Sequence, residues 1–427
     1  MSPHRVLDAE EELLLAEGET FDEVVDATDE DDDDDNNDTV QQPVVVVDRP
    51  ARRWVLGSAA FEHQTQHHKS AGALWNLKWR ELASRGMHPF EGGVYEDFRG
   101  TFELFNQFSV KPTSTEYTRV WLPIGELAYA KGNILYEKGR CTEAEEYFRR
   151  AAAIFRIARQ PHVSAVDKHR FPLRFKAWES QKETYLRAGK LWIVRLRDLQ
   201  VPFHHMLEHE DDLVHMYLRR PLSASWSEPC PVVMLLSGLD TLRTDHTSRT
   251  NAILARGWVS IALDVPGTGD CPADPSDVTS MDRVFDSVLD YLQRDGRYDM
   301  KSILVWGRGL GGYYAVRLAH TRREKLLGVV AHGAGTHNFL DRDWLSRAQH
   351  HEFPFAYNES LASAFGYRTV SQLMEEGQNK FSLLRNLVLD GESTPLLFVN
   401  GVEDGLMPIE DSIMVVNKGS PREGRQV

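Results

Sequence analysis

The chain has 427 residues, 41% of them hydrophobic and 10% aromatic, with 49 Lys+Arg against 64 Asp+Glu. That length allows two or three domains around a sizeable core, which excludes wholesale disorder, collagen and coiled-coil architectures. The net charge of −15 is unevenly spread: residues 1–48 hold 18 Asp+Glu and one Arg, so the other 379 residues stand near +2 and no basic face for nucleic acid is expected.

The three cysteines, Cys141, Cys230 and Cys271, lack both the even count of a disulfide framework and the paired spacing of a zinc site. A reducing, cytoplasmic setting is expected. No segment has the roughly 18 apolar residues that a membrane span needs, so no membrane partner is expected either. Residues 1–50 read as a disordered acidic tail, because the block Glu30 to Asp35 repels itself and has nothing apolar to collapse around.

From 51 to 190 the pattern predicts a helical domain. Leu74, Trp75, Leu77, Trp79 and Leu82 recur at helical spacing over 73–85, and further helices are predicted over 117–137, 142–159 and 177–192. Thr142 and Glu145 have the spacing of a capping box. After Trp192 the period changes. Strands are predicted over 194–201, 212–218, 232–236, 259–263, 302–306, 327–331 and 396–400, with helices over 247–256, 280–294 and 311–320. Alternation of this kind predicts an α/β fold, parallel strands with crossover helices on both faces. Residues 341–387 interrupt it with a helical, aromatic-rich insertion long enough to cap the sheet.

The most informative segment is Ile303-Leu304-Val305-Trp306-Gly307-Arg308-Gly309-Leu310-Gly311-Gly312-Tyr313-Tyr314. A buried strand, a tight turn flanked by small residues and then a helix describe a nucleophile elbow, G-x-S-x-G, in which only small neighbours let strand and helix approach so closely. Here the central residue is Gly309. Gly307, Gly309 and Gly312 also spell G-x-G-x-x-G, but the next strand ends in His332-Gly333 without the acid that a dinucleotide site requires.

With these motifs on the page, the sequence resembles the fungal α/β-hydrolases of the conidial yellowish-green pigment family, heptaketide-shortening hydrolases related to FrsA-like esterases and to 2,6-dihydroxypseudooxynicotine hydrolase. The resemblance covers about 53–425 and rests on Ile253-Leu254-Ala255-Arg256-Gly257-Trp258, Asp270-Cys271-Pro272-Ala273-Asp274-Pro275, Gly311-Gly312-Tyr313-Tyr314-Ala315, Asn400-Gly401-Val402, Asp404-Gly405 and Pro408-Ile409-Glu410-Asp411, among others. It implies an α/β-hydrolase fold with an N-terminal helical domain and a helical cap. The implied chemistry is a Ser-Asp-His triad performing retro-Claisen or ester cleavage of an aromatic polyketide in pigment or melanin synthesis, with no cofactor.

Carried over residue by residue, the resemblance makes Asp404 the triad acid and Gly309 the nucleophile position. The backbone N–H groups of Leu310 and Leu239 become the oxyanion hole, and His332 and Tyr313 become pocket residues. The triad histidine is expected beyond Gly424-Arg425, and the sequence ends at Val427, so the reading is a C-terminally incomplete hydrolase domain over 191–427, marginally stable and inactive as written. The expected partner is a small polyketide-like molecule, and a homodimer is left open. A non-catalytic binding protein and a general carboxylesterase stand as alternatives.

Overall fold

The computed structural model describes Trp54, Leu56, Gly57 and residues 65–224 and 228–418; the acidic tail and the segment after Lys418 lie outside the described residues. The helical part opens with a run over 71–84 (α1), whose middle, Trp75–Trp79, is a π turn. It continues with α2 (Glu96–Gln107), α3 (Thr115–Glu137), α4 (Cys141–Ala158) and α5 (Pro172–Leu191). Trp75, Trp79, Phe98, Phe102 and Trp121 are buried together in its core. Gly125 and Gly132 of α3 lie so close to the rings of Phe155 and Phe148 on α4 that a Cβ would collide with them. Helix α4 starts at Cys141, and Arg140 at its N-cap supplies no capping bond. The Thr142 capping box does not form, because Glu145 instead accepts from Arg149 and from the Trp192 indole.

The sheet follows, in chain order β1 (Arg197–Pro202), β2 (Leu213–Arg219), β3 (Cys230–Leu236), α6 (Thr247–Leu254), β4 (Val259–Leu263), α7 (Ser280–Asp295), β5 (Tyr298–Arg308), α8 (Leu310–Thr321) and β6 (Gly328–His332). The insertion holds α9 (Arg342–Ala348), α10 (Tyr357–Ala364) and α11 (Val370–Phe381), and the described chain closes with β7 (Leu396–Val399) and α12 (Ile409–Val416). Strand order is β1-β2-β4-β3-β5-β6-β7. Strands β4, β3, β5, β6 and β7 pair in parallel, and β1 and β2 are antiparallel additions at one side. At the other edge among the described strands, Leu397 and Val399 of β7 are about 40% exposed, at 39% and 41%. Cys141 is exposed, Cys230 and Cys271 are buried, and all three are free thiols. No described helix is long and apolar enough to cross a membrane.

Helices and sheet belong to one compact unit, Ala51–Val427. A buried charge cluster joins them. Asp245, in the loop after β3, accepts from Nε of Arg156 in α4 and Nη2 of Arg159 at its C-cap, both at 2.6 Å, and from Gln181 Nε2 of α5 at 2.8 Å. Arg159 continues to the carbonyl of Asp240 (3.1 Å), and His162 Nδ1 bonds the carbonyl of Leu239 (3.0 Å). The helical part thus holds two successive carbonyls of the loop that faces the elbow.

Candidate active site

The elbow sits where β5 ends and α8 begins. Gly309 has φ 56° and ψ −120°, a conformation in which an L side chain is strained. Its N–H donates to the His332 carbonyl at 2.9 Å, and its carbonyl accepts from Gly312 and Tyr313. The flanking glycines are there for space. A Cβ on Gly307 would strike the Gly311 carbonyl, and one on Gly311 would strike the carbonyls of Leu236 and Ser237. At Gly309 a Cβ would meet nothing within 4 Å. The tip is therefore a turn that has room for a side chain and lacks one.

That room opens into a cavity of about 370 Å³ lined by Gly238, Leu239, Arg308, Gly309, Leu310, His332 and Asp404, with Lys78, His88, Glu352 and Tyr357 among the rest of its wall. Five of the six residues singled out from the sequence meet here. Tyr313 does not: it is 1% exposed, and its hydroxyl donates to the Phe381 carbonyl at 2.9 Å. Its expected pocket role is corrected to a core one, since its position on α8 turns the ring towards the cap. His337 is likewise turned away, bonded through Nδ1 to the Ser382 hydroxyl at 2.7 Å.

The N–H of Leu310 lies in the first turn of α8, where no intrahelical acceptor exists. The Gly238–Thr241 loop comes up beside it, so close that a Cβ on Gly238 would stand 3.1 Å from the Arg308 carbonyl. Backbone donors on both sides of an open tip are the arrangement that stabilises an oxyanion. Asp240 in the same loop stands 3.7 Å from the His88 ring. Burial opposes its ionisation, yet His88, Arg308 and Arg159 outweigh that and hold the carboxyl down to about 2.

Asp404 follows β7, and its Oδ1 accepts from the N–H groups of Leu406 (2.9 Å) and Met407 (2.8 Å). Burial raises its carboxyl to about 6 despite the Met407 and Leu406 bonds, and Glu352 adds its repulsion. His332 lines the same cavity, and its ring is driven towards the neutral form by burial and by Arg308 and Arg249. The ring makes no side-chain hydrogen bond or ion pair among the described residues, so the acid and this histidine are neighbours without being coupled. No described group of three His, Cys, Asp or Glu side chains is placed to hold a metal ion.

A carboxyl with a raised folded pKa binds protons more tightly folded than unfolded, so the contribution of Asp404 to stability is fully present below pH 3.8 and is lost as pH rises through 6. Asn at this position keeps an oxygen for the two N–H groups and removes the charge facing Glu352. Asp404→Asn is expected to add about 1–2 kcal/mol at pH 7 and nothing at pH 3.5, read from urea midpoints at the two pH values.

Glu352 and His88 went unnoticed in the sequence, and the side chains of Arg308 and Asp240 were given no role there. Arg308 is the informative one: its Nη1 is buried with no hydrogen-bond partner among the described residues, and the guanidinium makes no ion pair there. It stands next to the open tip.

A strand–elbow–helix with a vacant tip, an acid after a later strand and facing backbone donors define an α/β-hydrolase. The chain belongs to the FrsA-like esterase family, whose profile matches residues 117–426. It is 26% identical to esterase FrsA of Vibrio vulnificus strain YJ016 over 306 residues, 68% of this chain and 69% of that one. Esterase FrsA of Serratia proteamaculans strain 568 is also 26% identical, over 310 residues and 70% of its length. Among solved structures, 2,6-dihydroxy-pseudo-oxynicotine hydrolase superposes with a TM-score of 0.61 at 18% identity, covering 82% of this chain and 87% of that one. AbyA5 superposes with a TM-score of 0.54 at 19% identity, covering 73% and 82%. These likenesses establish the mostly parallel hydrolase fold with its helical N-terminal part.

Proposed function

We propose that this chain is a polyketide-shortening member of the family whose cavity takes an aromatic β-diketone or ester, and that with glycine at the elbow it binds such a molecule without cleaving it. The observation that carries the reading is the open, left-handed tip at Gly309 between two glycines that cannot be replaced. A nucleophile there would attack a ketone or ester carbonyl, the new oxyanion would lie between Leu310 and Leu239 N–H, and the cleaved carbon fragment would leave as an enolate. Arg308 supports the diketone version, because an unpaired guanidinium beside the reacting carbon suits an enolate or phenolate oxygen. The partner is then a small acidic phenol or diketone.

Calorimetric titration with a naphthopyrone tests this. Micromolar-range binding that weakens about ten-fold in Arg308→Met is expected, the loss of one charge-assisted hydrogen bond. Absence of binding, together with turnover of p-nitrophenyl acetate by the unaltered chain, would favour a general carboxylesterase instead.

A further inference from the structure

A second cavity of about 270 Å³ lies behind the cap helix α10. Its walls are the segment 161–175, Thr113, and the face of α10 that carries Glu359, Ser360 and Ser363. Tyr357 and Leu361 of the same helix line the elbow cavity. One helix therefore separates two compartments, with a different side turned to each.

Two polar features of the second cavity are unsatisfied by the protein, and a third feature of its wall is apolar. His162 lines it at 7% exposure, and its Nε2 is buried with no hydrogen-bond partner among the described residues. Because Nδ1 bonds a carbonyl, the Leu239 oxygen, it carries the proton. Burial keeps the ring neutral, which leaves Nε2 as a bare acceptor. It calls for a hydroxyl or N–H donor.

The second feature is Arg174. Its Nη2 reaches the Thr113 carbonyl at 2.7 Å, but it forms no ion pair among the described residues, and Arg170 stands nearby. Of the two acids in the wall, Asp167 is bonded to the Ser363 hydroxyl and Glu359 is exposed, and they stand against three cations, Lys168, Arg170 and Arg174. This end of the cavity is positive and calls for an anion. The third feature is the apolar wall of Phe171 and Phe175, with the Arg174 guanidinium 4.4 Å and that of Arg170 5.2 Å from the Phe171 ring centre.

We propose that this cavity is a binding site for a small hydroxylated aromatic carboxylate, its hydroxyl donating to His162 Nε2, its carboxylate paired with Arg174 and Arg170, and its ring against Phe171 and Phe175. The site has a line to the elbow. The same His162 ring holds the Leu239 carbonyl, so a ligand hydroxyl on Nε2 reaches the facing loop through one side chain.

The test is calorimetry on the full chain with 4-hydroxybenzoate and 3-hydroxybenzoate as probes. One-to-one binding of at least one isomer is expected, weakened at least about ten-fold by Arg174→Gln and about ten-fold in benzoate or phenol, each of which lacks one anchor. Leu361→Trp, which fills the elbow cavity, should leave the affinity unchanged. His162→Phe should abolish the preference for the hydroxylated probe over benzoate. Its melting curve checks that it folds, and Arg174→Gln, at a partly buried position, decides the matter if it does not. No saturable heat up to about 10 mM of either isomer would overturn the proposal at any affinity of use to a cell. So would binding that survives Arg174→Gln, or binding lost in Leu361→Trp alone.

Discussion

Gly309→Ser is expected to fold and to acquire a covalent acyl group from p-nitrophenyl acetate, visible as one added acetyl in the intact mass, whereas the unaltered protein stays unmodified. The folding half of this rests on space. A Cβ at the tip meets no atom within 4 Å, so the cost is confined to the left-handed backbone, about 1–3 kcal/mol. The chemical half rests on the surroundings already in place. Leu310 and Leu239, the proposed oxyanion donors, line the cavity beside the tip, and Asp404 lines the same cavity. In a protease triad the nucleophile alone is worth on the order of 10⁶ in kcat, with roughly 10³ to 10⁴ over water left without it. Serine with no histidine coupled to it among the described residues recovers only part, so acylation at least about 10²-fold faster than in the unaltered chain is expected, with slow deacylation that lets the adduct accumulate. A folded variant that never gains mass would show that the tip is not a nucleophile position.

Asp245→Ala should be the most damaging single change outside the sheet core. Asp245 is 2% exposed and takes bonds from Arg156, Arg159 and Gln181. Deleting it leaves two buried guanidiniums without their counter-charge, a situation that costs about 3–5 kcal/mol. The damage should extend beyond stability, because Arg159 also holds the Asp240 carbonyl in the loop facing the elbow. Urea unfolding followed by tryptophan fluorescence reads the first effect. An unchanged midpoint would mean that the cluster is solvated and contributes little.

The elbow was legible in the sequence because its requirement is steric and local. Strand β5, three glycines at fixed offsets and a helix with Tyr313 and Tyr314 occupy one short stretch, and the predicted strand 259–263 agrees with β4 residue for residue. Asp404 was legible for a similar reason, as it follows the apolar run that becomes β7. What stayed hidden depends on contacts between distant segments. Glu352 comes from the cap and reaches the Asp404 loop by accepting from the Gly405 N–H at 3.0 Å, and no spacing in the chain announces that meeting. The two tyrosines at the start of α8 look alike in sequence. Only the packing of Tyr313 against Phe339 and Phe365 shows that it belongs to the core. The capping box failed for the same kind of reason: Trp192, 47 positions away, takes the Glu145 carboxylate.

The geometry of the elbow has an evolutionary consequence. The two elbow glycines whose replacement would collide with backbone are Gly307 and Gly311, and the position that would define the chemistry is the one with open space around it, at the cost of a positive φ alone. Glycine and serine codons can differ by a single base, as can glycine and cysteine or glycine and aspartate. Selection that relaxes on turnover but persists on ligand binding would leave the socket standing while its contents drift. The same socket can be refilled in one mutational step, so gain and loss of a nucleophile in this fold behave as a reversible trait.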